Sequence, residues 1–487
     1  MNTKRMLAAG SAVLLAAVTA VLAVAVAASP ASAATNDFRG FNWADQRDNF
    51  VDDTLVLGGL STADSYATTV AKATSVLNSA TANFNTNTVR IPVNYATVSG
   101  SYWNSYRGII DAAGQVGYKI ILSYWEAASD RDGTVDNDTQ FWSMWQTIVN
   151  AYGSAGHVYF EPFNEPYGYS ADAWKNLAAQ WLSTYAAVPK GRIIISGSGY
   201  NTGLITIGSD SRFNGTYISR HTYKFFNNDY TTEAQFYNGL VSSVGSYADR
   251  VIITEWGAEM TNGKNYESPS SDLFISFIRG TSAAARQLGL GSVYWPGVRI
   301  NDTYSMFGLG GSGTNLSVSI TNQSGKKLVQ HSWGMNVSIA TPPAVPAPAT
   351  YYRVTNVNSG KVMDVIGQST ADSAEVKQYT WNSGANQKWA FEDAGGGYYR
   401  LRNMHSGKCL DVASGSTANG ANIIQYACGT GTNQQWQWVA SGSGFQLRAR
   451  HSGKCLDVVS SGTGDGADIQ QYTCASAANQ QWTRTQV

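Results

Sequence analysis

Between Asp37 and about Ala340, short apolar runs recur between longer stretches with helical spacing of their apolar residues. The runs are FRGFNW (38–43), TVRIPV (88–93), KIILSYW (119–125), HVYFEPFNEP (157–166), RIIISG (192–197), TYISRHTY (216–223), RVIITEWG (250–257) and SVYWPG (292–297). They are apolar almost throughout, as parallel strands covered on both faces should be. Segments such as SDLFISFIRGTSAAARQLG between them are helix-compatible. Eight strand-then-helix units predict an α/β domain of the (β/α)8 (TIM) barrel class.

The pattern changes after residue 340. ATPPAVPAPAT (340–350) reads as a proline-rich linker in extended polyproline form, roughly 30 Å long at about 3 Å per residue. Beyond it the chain repeats itself. SGKVMDV at Ser359, SGKCLDV at Ser406 and SGKCLDV at Ser452 recur 47 and then 46 residues apart, and NQKW at Asn386, NQQW at Asn433 and NQQW at Asn479 keep that step. A strand-rich unit of about 45 residues cannot bury a core alone, so three must pack around a shared axis. Trp389, Trp436 and Trp482 are the expected core plugs.

At the front, Lys4 and Arg5 precede an uncharged run from Met6 to Pro30 that ends in Ala31-Ser32-Ala33. This is the layout of a secretory signal over 1–34; an uncleaved anchor is the alternative. No other stretch approaches the roughly 20 apolar residues that a membrane span needs. The expected division is therefore 1–34 signal, 35–339 barrel, 340–350 linker and 351–487 repeat domain, with no membrane partner after signal cleavage.

All four cysteines fall in the repeats, and 19 residues separate Cys409 from Cys428 and Cys455 from Cys474. Three pairings are open to four cysteines. The repeat selects 409–428 and 455–474, each loop contributing roughly 3 kcal/mol. In copy one, Val362 and Trp381 occupy the cysteine positions, where an apolar contact is expected instead.

Charge excludes one class of partner. Lys plus Arg equals Asp plus Glu at 33 each, with no basic stripe, which argues against nucleic acid. The surplus of rings, 15 Trp and 27 Tyr, suits stacking on the apolar faces of sugars. No HExxH, GxSxG or P-loop occurs, so metal, serine-nucleophile and nucleotide chemistry are disfavoured, and no cofactor is expected.

In a barrel the chemistry belongs at the C-terminal ends of the strands. Those ends carry Arg90, Asn164 with Glu165, His221 with Tyr223, Glu255, and Trp295. Glutamates from the fourth and seventh strands would face each other across one mouth, the pair that glycoside hydrolysis requires. Glu161 is read as a hydrogen-bonded interior residue, and Glu259, beyond the strand end, competes with Glu255 for the nucleophile.

Asn164-Glu165-Pro166 and Ile253-Thr254-Glu255-Trp256-Gly257 resemble the strand-four and strand-seven motifs of glycoside hydrolase family 5 and its barrel clan. The resemblance implies that Glu165 is the acid/base and Glu255 the nucleophile, about 5 to 5.5 Å apart as in retaining enzymes. It further implies that Asn164 binds the sugar 2-hydroxyl and that Arg90 keeps the nucleophile ionised. His221 and Tyr223 would line the reacting subsite and Trp295 its stacking floor. One departure stands out: Leu122-Ser123-Tyr124-Trp125-Glu126 occupies the end of strand three, where that family usually places a histidine.

The repeats, with their Q-x-W signature, resemble the ricin B-type lectins, which implies an all-β β-trefoil with up to three sugar sites. Copy three keeps the full set, Asp457, Gln470, Tyr472, Asn479 and Gln480. Copy two has Asp411, Tyr426, Asn433 and Gln434 but Ile424 for the glutamine, and copy one has Asp364, Tyr379, Asn386 and Gln387 with Lys377 there. The sites rank three, two, one.

Together these expectations describe a secreted monomeric retaining glycosidase acting on a polysaccharide or oligosaccharide of β-glucan, mannan or galactan type. The alternatives are an exo-acting β-galactofuranosidase or arabinofuranosidase on the same barrel, a transglycosylase, and an inactive carbohydrate-binding protein.

Overall fold

The computed structural model describes residues 35–226, 229–345 and 350–487. The expected signal and residues 346–349 of the linker lie outside the described residues.

Eight parallel strands form the barrel: β1 (Arg39–Trp43), β2 (Thr88–Val93), β3 (Lys119–Tyr124), β4 (Val158–Glu161), β5 (Ile194–Ser196), β6 (Tyr217–Thr222), β7 (Val251–Trp256) and β8 (Gly291–Val298). Their order is β4-β3-β2-β1-β8-β7-β6-β5, and a parallel bridge between Phe160 and Ile193 joins the two ends. Every residue of β2, β7 and β8 is buried, which is why those runs read as continuously apolar.

A helix follows each strand: α1 (Tyr66–Phe84), α2 (Gly108–Gln115), α3 (Asp138–Tyr152), α4 (Ala171–Thr184), α5 (Leu204–Gly208), α6 (Glu233–Val244), α7 (Leu273–Leu288) and α8 (Gln323–Ser332). Local chemistry starts them. Ser65, Asn137, Ser170, Asp272 and Asn322 each cap free backbone N–H groups, and Thr232 with Gln235 forms a capping box. Gly289 ends α7 in the left-handed conformation.

Phe38, Ile121, Ile194, Ile252 and Val293 plug the lower end of the barrel, and a polar layer with Ser123, Ser196, Ser219 and Thr254 lies above them. Two departures from regular pairing set the upper rim. First, β4 stops at Glu161, so 162–166 leave the expected strand and Glu165 takes a left-handed φ of 48°. Such a conformation costs a non-glycine residue about 1–2 kcal/mol. Second, Arg220 pairs with Ile253 while His221 pairs with Glu255. The extra residue in β7 is a bulge, and it lets neighbouring Thr254 and Glu255 both bond inward.

An unanticipated hairpin, β9 (Phe307–Ser312) with β10 (Asn315–Ile320), precedes α8 and packs on α1. The proline-rich stretch begins bound to the barrel: Ala340 donates to Glu267, and Arg279 donates to the Thr341 carbonyl.

Residues 351–487 build twelve further strands, from β11 (Tyr351–Asn356) to β22 (Trp482–Gln486), in an antiparallel β-trefoil. Trp389, Trp436 and Trp482 are fully buried, and each indole donates to the carbonyl of the residue before an Asp: Met363, Leu410 and Leu456. Cys409–Cys428 and Cys455–Cys474 are bridged. In copy one, Arg353 lies over the Trp381 ring at 5.6 Å.

One device in the repeats escaped the sequence reading. Gln378, Gln425 and Gln471 are fully buried, each accepting from a serine of its own copy and donating to two carbonyls of another. Gln378 reaches Gly462 and Gly464, Gln425 reaches Ser369 and Ala371, and Gln471 reaches Ser416 and Ala418. The three copies are thereby tied head to tail in a ring. Gln425→Ala removes a fully buried amide and its bonds to two carbonyls of another copy, and should lower trefoil stability by about 1–3 kcal/mol. Thermal unfolding of wild type and variant measures it; an unchanged midpoint would mean the ring of glutamines is dispensable.

Candidate active site

Arg90 on β2 is 1% exposed and occupies the barrel centre. Its Nε donates to Glu161 at 2.6 Å, Nη1 to Glu255 at 2.6 Å and to Asn42 at 3.0 Å, and Nη2 to Asn164 at 2.8 Å and Ser123 at 3.0 Å. All five N–H donors of the guanidinium are used. Burial alone would lower its pKa, but the Glu161 and Glu255 carboxylates raise it, so it stays charged.

Above this hub, Glu165 and Glu255 converge from the β4 loop and from β7. Oxygen atoms of the two carboxyls and a ring nitrogen of His221 all lie within 4.8 Å of one another. Tyr223 donates to Glu255 Oε2 at 2.9 Å. His221 Nδ1 is 2.8 Å from Glu165 Oε1 and 3.6 Å from Glu255 Oε2. Three such groups could approach a cation, but the Arg90 charge beside Glu255 opposes a second one.

The two glutamates differ in their surroundings. Burial raises the Glu165 carboxyl to about 7 against the pull of Arg90 and Arg131, which touch it only through space. Burial also raises Glu255, but the Arg90 charge opposes it, and Arg90 and Tyr223 both bond its carboxylate directly. His221 is driven down to about 4 by burial, so its ring is neutral at ordinary pH. Burial and the neighbouring carboxyls hold Tyr223 well above its usual value, keeping it a donor.

These groups open into a cavity of about 440 Å³. Trp295 lies inside β8, and its ring stacks on Trp125 at 5.4 Å and 16°. Trp125 directly follows β3, in the stretch where the family resemblance leads one to expect a histidine. Its identity was legible, but its partnership with Trp295 was not, because strands β3 and β8 are far apart in sequence. Phe50, Tyr200 and Phe226 also line the cavity and come from loops without a recognisable motif. At the rim, Arg299 pairs with Asp48 at 2.6 Å and Asp302 at 3.1 Å.

Glu161, fully buried, is the second carboxylate on Arg90 and does not reach the cavity lining. Glu259 pairs with Lys264 at 3.4 Å and is likewise away from it.

The three repeat sites differ as their sequences do. Asp457 accepts from Asn479 (2.8 Å), Gln480 (2.9 Å) and, on its other oxygen, Gln470 (2.8 Å). Asp411 accepts from Asn433 (3.0 Å) and Gln434 (2.7 Å). Asp364 accepts from Gln387 (2.8 Å), whereas Asn386 donates to the Val365 carbonyl. Lys377 turns instead to Glu375 and Asp468. Tyr379, Tyr426 and Tyr472 stand exposed beside these aspartates.

Comparison with known proteins places both regions. The family model "Cellulase (glycosyl hydrolase family 5)" matches residues 49–296, and "Ricin-type beta-trefoil lectin domain-like" matches 342–426 and 432–487. Among solved structures the chain is similar to ThreeFoil, a designed 3-fold symmetric protein, at 48% identity over 28% of this chain and 99% of that one, TM-score 0.28. It is similar to an exo-beta-1,3-galactanase from Clostridium thermocellum at 32% identity over 39% of this chain, TM-score 0.29, and spans 40% of that protein's length. The Rhizoctonia solani agglutinin follows at 25% identity over 30% of this chain and 99% of that one, TM-score 0.27. No curated protein matches. With its cellulase-type match spanning half of the sequence, the chain belongs to glycosyl hydrolase family 5, a glycosidase of O-glycosyl compounds that carries a ricin-type lectin module.

Proposed function

We propose that the chain is an exported retaining glycosidase, with Glu165 as general acid/base and Glu255 as nucleophile. The observation that carries this reading is the approach of their carboxyl oxygens to within 4.8 Å. Inverting enzymes hold their carboxyls about 6.5–9.5 Å apart to admit a water, so this close approach supports the retaining reading.

In the first step Glu165 passes its proton to the glycosidic oxygen while a Glu255 oxygen bonds the anomeric carbon, releasing the leaving group. In the second, Glu165 takes a proton from water, which attacks the anomeric carbon and frees Glu255. Burial keeps Glu165 protonated up to about pH 7, as the donor needs. The Arg90 and Tyr223 bonds favour the ionised Glu255 that attack needs. Asn164 Nδ2, buried and without an acceptor among the described residues, suits the sugar 2-hydroxyl. His221 lies 2.8 Å from Glu165 and positions its carboxyl, and Trp295 with Trp125 is the stacking floor.

The substrate is a polysaccharide or oligosaccharide of β-glucan, mannan or galactan type. A second reading, exo attack by a furanosidase, is favoured by the aromatic pocket of about 440 Å³, a size suited to a small ligand or a chain end. The trefoil (351–487) holds the barrel (35–339) near glycan and so raises its effective concentration. The two disulfides accord with export, and among the described residues no helix is long and apolar enough to cross a membrane.

Five results are expected. During hydrolysis of an aryl glycoside, the first product seen by anomeric-proton NMR should have the substrate's configuration; an inverted product sinks the mechanism. Glu255→Ala should be inert, and Glu165→Ala should lose about 10²- to 10⁴-fold on substrates with poor leaving groups. kcat/KM should rise with pH as Glu255 ionises and fall above about pH 7 as Glu165 loses its proton, so a profile flat through pH 7 to 8 contradicts the assignment. Because native Glu165 holds its proton more tightly than the unfolded chain, its contribution to stability should fall as pH rises from about 4.5 to about 7, and Glu165→Gln should flatten that slope. Finally, Asp457→Ala should weaken retention on immobilised glycan more than Asp364→Ala, as affinity electrophoresis would register.

A further inference from the structure

His221 enters the active site, while Arg220, on the other face of β6, enters a second cavity of about 410 Å³. Three arginines are buried among the described residues. Arg90 meets Glu161 and Glu255, and Arg279 meets Glu233. Arg220, 6% exposed, meets no carboxylate among the described residues, and the residues outside them contain no Asp or Glu. Among the described residues its one side-chain hydrogen bond runs from Nη1 to the Asn201 carbonyl at 3.4 Å, and Nε is buried without an acceptor there. A buried, uncompensated cation is costly, so the site is electrostatically incomplete.

The other cations in this cavity are already matched. Arg402 pairs with Glu392 and Lys408 with Asp372, both within the trefoil. The uncompensated charge is therefore a single positive one. Around it stand the hydroxyls of Thr202, Thr222 and Ser242, none of which donates to a partner among the described residues.

We propose that this cavity binds the carboxylate of a sugar acid, with Arg220 as its counter-charge. Nη2 of Arg220, which donates to no group among the described residues, is left to bond a carboxylate oxygen. A unit charge suits a carboxylate better than a phosphate, which carries about −1.5 to −2 at neutral pH. The free hydroxyls and the volume fit a polyhydroxylated ring. Both barrel and trefoil line the cavity, so the occupied site joins the two modules. The inference rests on this cavity and is independent of the roles proposed for Glu165 and Glu255.

Calorimetric titration of the full chain with sodium D-glucuronate, D-glucose and inorganic phosphate, at constant ionic strength, tests it. Saturable glucuronate binding is expected, weaker by about 10- to 100-fold for glucose and in Arg220→Gln. Arg220→Lys keeps a cation in place but loses the fixed guanidinium donor, so it should bind glucuronate with intermediate affinity; it also carries the test if the glutamine variant fails to fold. The proposal is overturned if glucuronate does not bind, if phosphate binds as tightly, or if both Arg220 variants bind glucuronate like wild type.

Discussion

The active end of the barrel depends on one buried cation. Arg90 spends its five donors on five residues drawn from β1, β3, β4, the loop after β4, and β7. Removing it would leave Glu161 and Glu255 as two buried carboxylates with no counter-charge, the costliest kind of vacancy in a protein interior. The same bonds that hold the charge also hold the geometry. Asn42, which accepts from Arg90, donates in turn to carbonyls of Thr254, Val293 and Tyr294, so the network crosses from β1 to β7 and β8.

The hub also makes the two facing carboxyls unlike. Arg90 touches Glu255 and not Glu165, because Glu255 is aimed inward by the bulge in β7 while Glu165 rides on a loop above the end of β4. One carboxylate therefore receives direct hydrogen bonds from an arginine and a tyrosine, and the other is left dry beside a neutral imidazole. The proposed division of labour between proton donor and attacking group needs no more than this difference in surroundings. The left-handed backbone at Glu165 is consistent with a residue held by its surroundings rather than by local preference.

The trefoil separates structure from recognition in a different way. The buried tryptophans and the ring of Gln378, Gln425 and Gln471 are identical in every copy, since each copy must meet the same neighbours around the axis. The residue just before that glutamine faces the site aspartate across the hairpin, and there the copies diverge into Lys377, Ile424 and Gln470. Only Gln470 completes the hydrogen bonds of its aspartate. A repeat can thus keep its core while its three surfaces drift apart.

The sequence by itself determined the class of both domains, because burial on two faces writes long apolar runs and a threefold axis writes a repeat. It also determined the identity of Glu165, Glu255, Arg90, His221 and Tyr223 as neighbours, since the ends of successive parallel strands must share one rim. Tertiary structure alone decided the early end of β4, the bulge that turns Glu255, the stacking of Trp125 on Trp295 and the isolation of Arg220. Each of these depends on contacts between segments far apart in the chain, and strand periodicity carries no trace of an inserted residue or of a missing counter-charge until the partners are brought together.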